Sequence, residues 1–158
     1  MFKKLSLFIV ITFFSFNSAI SYANSSTELE VVDIDGKVFN IDDHKNKAVL
    51  VLFWAQWCNY CRKEMVELEE VYRQYHKQGL EIIALSIDRK SDQQKMQDFA
   101  RKFSYPSAFY SDAKTNFSNK KNIVPLIQIV DKKRTVIYSL TGYVDKNEIV
   151  KAVQKSLE

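Results

Sequence analysis

At 158 residues the chain carries one domain's worth of sequence, too short for two independent cores of ordinary size. Its 23 basic and 19 acidic side chains leave a net charge of only +4. They are interspersed rather than blocked, which argues against a nucleic-acid partner or an obligate anionic surface.

The N-terminus reads as a targeting segment. Lys3 and Lys4 precede an uncharged, mostly apolar run from Leu5 to Ile20, and Ser21-Tyr22-Ala23 then places small residues where an export peptidase reads. Cleavage after Ala23 is expected, leaving a domain at 24–158 and a localisation in the periplasm or on the outer face of the cytoplasmic membrane. The apolar run, broken by Asn17 and Ser18, falls short of the roughly 20 residues of a comfortable span. An uncleaved membrane anchor is the alternative, and no cysteine adjoins the site to accept a lipid.

Beyond the signal, Glu28 to Ile41 alternates apolar and polar residues around Asp35-Gly36, a hairpin turn signal. Ala48 to Trp54 is a continuous apolar run suited to a strand buried on both faces. From Asn59 to about Lys77, Met65, Leu68, Val71, Tyr72 and Tyr75 recur at helical spacing, and Gly79 closes the helix. Leu80 to Ile87 is a second buried strand. Ser91-Asp92 opens a helix with Met96, Phe99, Ala100 and Phe103 on one face. A short strand over Ser107–Tyr110 and a short helix or turn over Thr115–Lys120 follow. Leu126–Val130 and Arg134–Leu140 form two strands joined at Asp131-Lys132-Lys133, Gly142 ends the second, and Asp145 caps a final helix carrying Ile149, Val150, Val153 and Leu157. Strands alternating with helices, then a closing hairpin and helix, predict an α/β fold whose central mixed sheet is covered on both faces. Phe99, Phe103, Phe109 and Phe117 are read as core, and His44 and His76 as surface residues.

The chain has two cysteines, Cys58 and Cys61. An exported protein sits where disulfides persist, yet a bridge between these two closes almost no loop and adds little stability. Redox chemistry is the better explanation. A zinc site needs four ligands, and His44 and His76 lack the spacing to supply the rest, so no metal and no cofactor beyond the cysteine pair is expected.

The stretch Phe53-Trp54-Ala55-Gln56-Trp57-Cys58-Asn59-Tyr60-Cys61-Arg62-Lys63-Glu64-Met65 resembles the active-site segment of the thioredoxin-like superfamily, and within it the exported TlpA/ResA-like branch. The resemblance spans most of residues 28–158 and implies a thioredoxin-like fold: a central mixed β-sheet flanked by helices, with an N-terminal β-hairpin and a central βα insertion. It implies a protein thiol–disulfide oxidoreductase. Cys58, at the N-terminus of its helix, is the nucleophile, its thiolate favoured by free N–H groups and the helix dipole. Cys61, one turn on, resolves the mixed disulfide. Val124-Pro125 matches the cis-proline position, where Val124's backbone pairs with an incoming peptide. Glu64 resembles the acid that helps move the proton of Cys61; an acid in a first helical turn is also favoured by the dipole alone. Trp57 either shields the nucleophile or simply packs, and Asn59 and Tyr60 tune potential and contact partners.

The chain departs from the branch in having Asn59-Tyr60 between the cysteines where a proline is common, Val66 at another frequent proline position, and Leu52 where thioredoxins bury an acid. The function expected is reduction, or isomerisation, of disulfides in exported proteins, apocytochrome c among them, by a monomer recharged through a membrane electron donor of the DsbD or CcdA type. The alternatives are a DsbA-like oxidase and a non-catalytic binding module. A peroxidase of this fold needs Thr or Ser three residues before the reactive cysteine, where this chain has Ala55.

Overall fold

A computed structural model describes residues 27–158; the export signal expected at 1–23 lies outside them. The hairpin forms as its alternation predicts, from β1 (Leu29–Val32) and β2 (Val38–Asn40), paired antiparallel about Gly36 at φ +80°. A short 3₁₀ turn, Ile41–His44, leads into β3 (Ala48–Trp54). Then come α1 (Asn59–Tyr75), β4 (Leu80–Ser86), α2 (Gln93–Ala100), β5 (Ser107–Phe109), β6 (Lys114–Thr115), β7 (Leu126–Val130), β8 (Val136–Thr141) and α3 (Lys146–Ser156).

Five strands make the central sheet, in the order β5-β4-β3-β7-β8. The strand β3 runs parallel to β4 and antiparallel to β7, so one continuous apolar strand is hydrogen-bonded on both sides. All seven of its residues are buried. Alternate side chains of β3 face opposite ways, and the two faces are covered by different material. Ala48, Leu50, Leu52 and Trp54 pack against all three helices through Met65, Leu68, Met96, Ala100, Ile149 and Val153. Val49, Val51 and Phe53 pack against a second, three-stranded sheet, β2-β1-β6, through Leu29, Val31, Phe39 and Phe117. The sheet is thus covered on both faces as expected, with helices confined to one of them.

Several local expectations change. The expected helix or turn at Thr115–Lys120 gives way at its start to β6, because Lys114 and Thr115 pair with Glu30 and Leu29. The last strand begins at Val136, not Arg134: Arg134 sits at φ +67° in the turn. The second helix stops at Ala100; Phe103 lies beyond it, half-buried against Phe99 at 5.3 Å between ring centroids. Phe109 and Phe117 are core.

The histidines, expected at the surface, are half-buried there, each with one ring nitrogen turned to a buried acid. His44 Nδ1 and His76 Nδ1 approach buried Glu81 at 3.7 and 3.5 Å, beside Lys47 Nζ at 2.6 Å from the same oxygen. A carboxylate on a buried strand needs such partners, and their convergence draws both imidazoles inward. Burial there pushes the His44 pKa down.

Candidate active site

The last residues of β3 and the first turn of α1 build the site. Trp54 ends the strand, its carbonyl accepting from Ile87 N at 2.9 Å, and Ala55-Gln56-Trp57 turns the chain so that Cys58 N reaches Ala55 O at 3.1 Å. Asp88 holds this turn. Its Oδ2 accepts from Gln56 N at 2.8 Å and from the Ser86 hydroxyl at 2.7 Å.

Cys58 is the N-cap of α1, and its sulfur accepts from Cys61 N at 3.1 Å. Helix N-termini leave such N–H groups without intrahelical partners, and a sulfur placed there gains both a donor and the positive end of the dipole. Cys58 and Cys61 form a disulfide, with their Cα atoms 5.3 Å apart. The pair is asymmetric: Cys61 is fully buried, Cys58 only half so. A partner's sulfur can therefore approach Cys58 alone.

Around the exposed sulfur stand two large aromatic side chains left in water, Trp57 at 65% and Tyr60 at 66% exposure. Asn59 Oδ1 accepts from the Arg62 guanidinium at 2.5 Å. The Tyr60 ring lies 6.0 Å from that of Tyr143, over which Lys63 Nζ sits at 4.2 Å.

The Val124–Pro125 bond is cis. Because Leu126 pairs with Phe53, Pro125 stands level with the end of β3, beside the turn that carries Cys58. Among the described residues, neither the N–H nor the C=O of Val124 bonds another backbone group. Asn119, buried, fastens the preceding loop through Ile123 at 2.8 and 2.9 Å.

Glu64 has no exposed surface. Its Oε1 accepts from Val144 N at 3.1 Å, while Oε2 has no hydrogen-bond partner. Burial, with a smaller push from Glu67, raises its pKa to about 7 against the pull of the Val144 N–H. It lies one turn beyond Cys61 on α1, on the side that carries the buried residues. Leu52, at the position where thioredoxins bury an acid, is fully buried and apolar. Among the described residues no group of three or more histidines, cysteines and acids is placed to hold a metal.

The structure thus brings Cys58, Cys61, Trp57, Asn59, Tyr60, Val124 and Pro125 to one end of the sheet, with Glu64 behind them. Sequence reasoning missed Asp88 and Tyr143. A signal for Asp88 existed: a polar pair, Ser86 and Asp88, at the C-terminal end of a buried parallel strand, where sites in such sheets form.

A thioredoxin-like sheet with a half-buried cysteine capping a helix and its partner buried one turn on defines a redox protein working through thiol–disulfide exchange. The chain belongs to the AhpC/TSA family, whose model matches residues 23–153. It is 28% identical to the thiol-disulfide oxidoreductase ResA of Geobacillus kaustophilus over 139 residues, 87% of this chain and 79% of that protein. It is likewise 28% identical to a ResA of Bacillus cereus over 145 residues, 90% of this chain and 83% of the relative. In fold it is similar to a thiol:disulfide interchange protein of Chlorobium tepidum TLS, with a TM-score of 0.68 at 20% identity, covering 84% of this chain and 95% of that one. The protein is a thiol–disulfide oxidoreductase.

Proposed function

We propose that the protein is an extracytoplasmic disulfide reductase. It transfers two electrons from the Cys58/Cys61 dithiol to disulfides of exported proteins, apocytochrome c among the candidates, and is recharged by a membrane electron donor of the DsbD or CcdA type. The order of residues 1–23 supports export.

The observation that carries the exchange chemistry is Glu64, buried three residues past the buried Cys61 on the same helix and left with one oxygen unpartnered. Reduction runs in two steps. Cys58 thiolate attacks a substrate disulfide, forming a mixed disulfide and expelling one substrate thiolate. Cys61 must then lose its proton, in a pocket that disfavours charge, before it attacks Cys58 and expels the second. Glu64, one turn on along the buried side of α1, is the base we assign to that proton. The unpaired backbone of Val124 offers a strand-like ladder to the substrate, and Trp57 and Tyr60 offer apolar contact beside the reacting sulfur.

The test is the reduction potential of the purified protein in glutathione and dithiothreitol buffers. A value at or below about −250 mV supports a reductase that needs a membrane electron source. A value near about −120 mV makes the protein an oxidant, as the DsbA-like alternative requires. Absence of any two-electron couple overturns both and leaves a binding module.

A further inference from the structure

We infer that Glu67, held by Tyr143, is the second station of a proton relay that connects Glu64 to solvent while Cys61 resolves the mixed disulfide. The inference rests on the reading of Glu64 as the base for Cys61.

The geometry is that of two carboxylates gripped by one dipeptide. Val144 N donates to Oε1 of Glu64 at 3.1 Å, and the hydroxyl of the preceding residue, Tyr143, donates to Oε1 of Glu67 at 2.8 Å. Each carboxylate is left with its other oxygen, Oε2, buried and without a hydrogen-bond partner. Two acceptors in that state, on side chains one helical turn apart, are satisfied together if a single proton is shared between them. Their accessibility is graded: Glu64 is sealed, whereas the Glu67 side chain is 20% exposed. A proton taken from Cys61 thus has an inner acceptor and an outer one, and only the outer one meets water.

The charged groups around the pair complete the arrangement. On α1, Lys63 Nζ lies 3.9 Å from Oε1 of Glu67 and over the Tyr143 ring. Glu70 is occupied by Lys146 of α3 at 2.6 Å. Asp145 caps α3 through Asn147 N at 2.8 Å. On the inner side the buried Tyr105 hydroxyl donates to Met65 O at 2.9 Å. Lys63 thus stands at the outer, solvent-reached end of the pair, and the sealed Glu64 at the inner end.

The step balances. Cys61 S–H gives its proton to Glu64; its sulfur attacks Cys58, the Cys58–substrate bond breaks, and the substrate leaves as thiolate. Both cysteines are oxidised to the disulfide, and the substrate disulfide is reduced. The proton passes through Glu67 to solvent, from which the departing thiolate recovers it.

The experiment uses the reduced protein and oxidised glutathione in single turnovers, quenched with acid and weighed, so that the rise and decay of the Cys58 mixed disulfide are seen separately from pH 5.5 to 8.5. Glu67→Gln is expected to leave the rise within about twofold and to slow the decay about tenfold at pH 7, with added imidazole restoring most of the rate by carrying the proton. Decay at the wild-type rate in Glu67→Gln overturns the relay. So does slow decay that imidazole leaves unchanged, since that marks a structural role. If Glu64→Gln also decays normally, the reading of Glu64 falls and the relay with it; slow Glu64→Gln beside normal Glu67→Gln removes the relay alone.

Discussion

A carboxyl group with no exposed surface and a single N–H to accept is costly to ionise, and this holds Glu64 to a pKa of about 7. Its folded value lies above the ordinary carboxylate range, so between about pH 4.5 and 7 the native state binds more protons than the unfolded chain and stability falls as pH rises. At pH 8 the ionised group costs about 3 kcal/mol, and below about pH 4.5 nothing. Glu64→Gln is therefore expected to raise the denaturant midpoint of the oxidised protein at pH 8, and to leave it close to wild type at pH 4.5. Equal effects at both pH values overturn the assignment. The two cysteines separate as cleanly. Cys61→Ser should accumulate a mixed disulfide with substrate, visible by mass, because Cys58 still attacks; Cys58→Ser should form none, because the remaining sulfur is sealed. The position of Glu64, three residues past Cys61, was readable from the string of residues. The hold on its other oxygen was not, because that donor is Val144, eighty residues away.

Between β3 and α1 the chain makes a four-residue turn, Ala55 to Cys58, whose shape is fixed from another element. Asp88, past the end of β4, satisfies the N–H of Gln56 and the hydroxyl of Ser86 with one oxygen. Asp88→Ala leaves a buried donor unpaired. It should cost about 2 kcal/mol of unfolding free energy, read as a lower denaturant midpoint with an unchanged m-value, and should slow attack by Cys58 on oxidised glutathione. The long elements were legible because their pattern is local: seven apolar residues for β3, and apolar spacing of three and four with a closing Gly79 for α1. Short strands with a local turn or apolar signal, β1, β2 and β5, were legible too; elements fixed only by distant partners were not. The two-residue β6 exists only through its pairing with β1, and α2 ends before Phe103 although the apolar spacing continues. Long-range partners decide such cases, and neighbouring residues carry no trace of them.

Across the described residues the molecule is a sheet with unlike covers, the three α-helices on one face, the cysteine helix among them, and a small sheet on the other. The central sheet and its strand directions followed from the order of elements. The unlike covers did not, since alternation along β3 shows that both faces are buried without showing by what. The division predicts that the far cover contributes to stability and leaves the redox couple untouched. Phe39, buried in the hairpin, is the probe. Phe39→Ala should lower the unfolding free energy by about 3–5 kcal/mol in a single cooperative transition, while the reduction potential stays that of the wild type. A shifted potential would show that the two faces are coupled.

The two tryptophans stand at opposite extremes of exposure, Trp54 sealed in the core and Trp57 largely in water beside the disulfide. In optical terms the protein carries its own indicator. A docking partner that covers Trp57 shifts its emission to the blue, opening the disulfide changes the surroundings of Trp54, which packs in one cluster with Cys61, and acrylamide reaches Trp57 while sparing Trp54. Capture and turnover can thus be followed on the unlabelled protein, as separable signals from its exposed and its sealed indole.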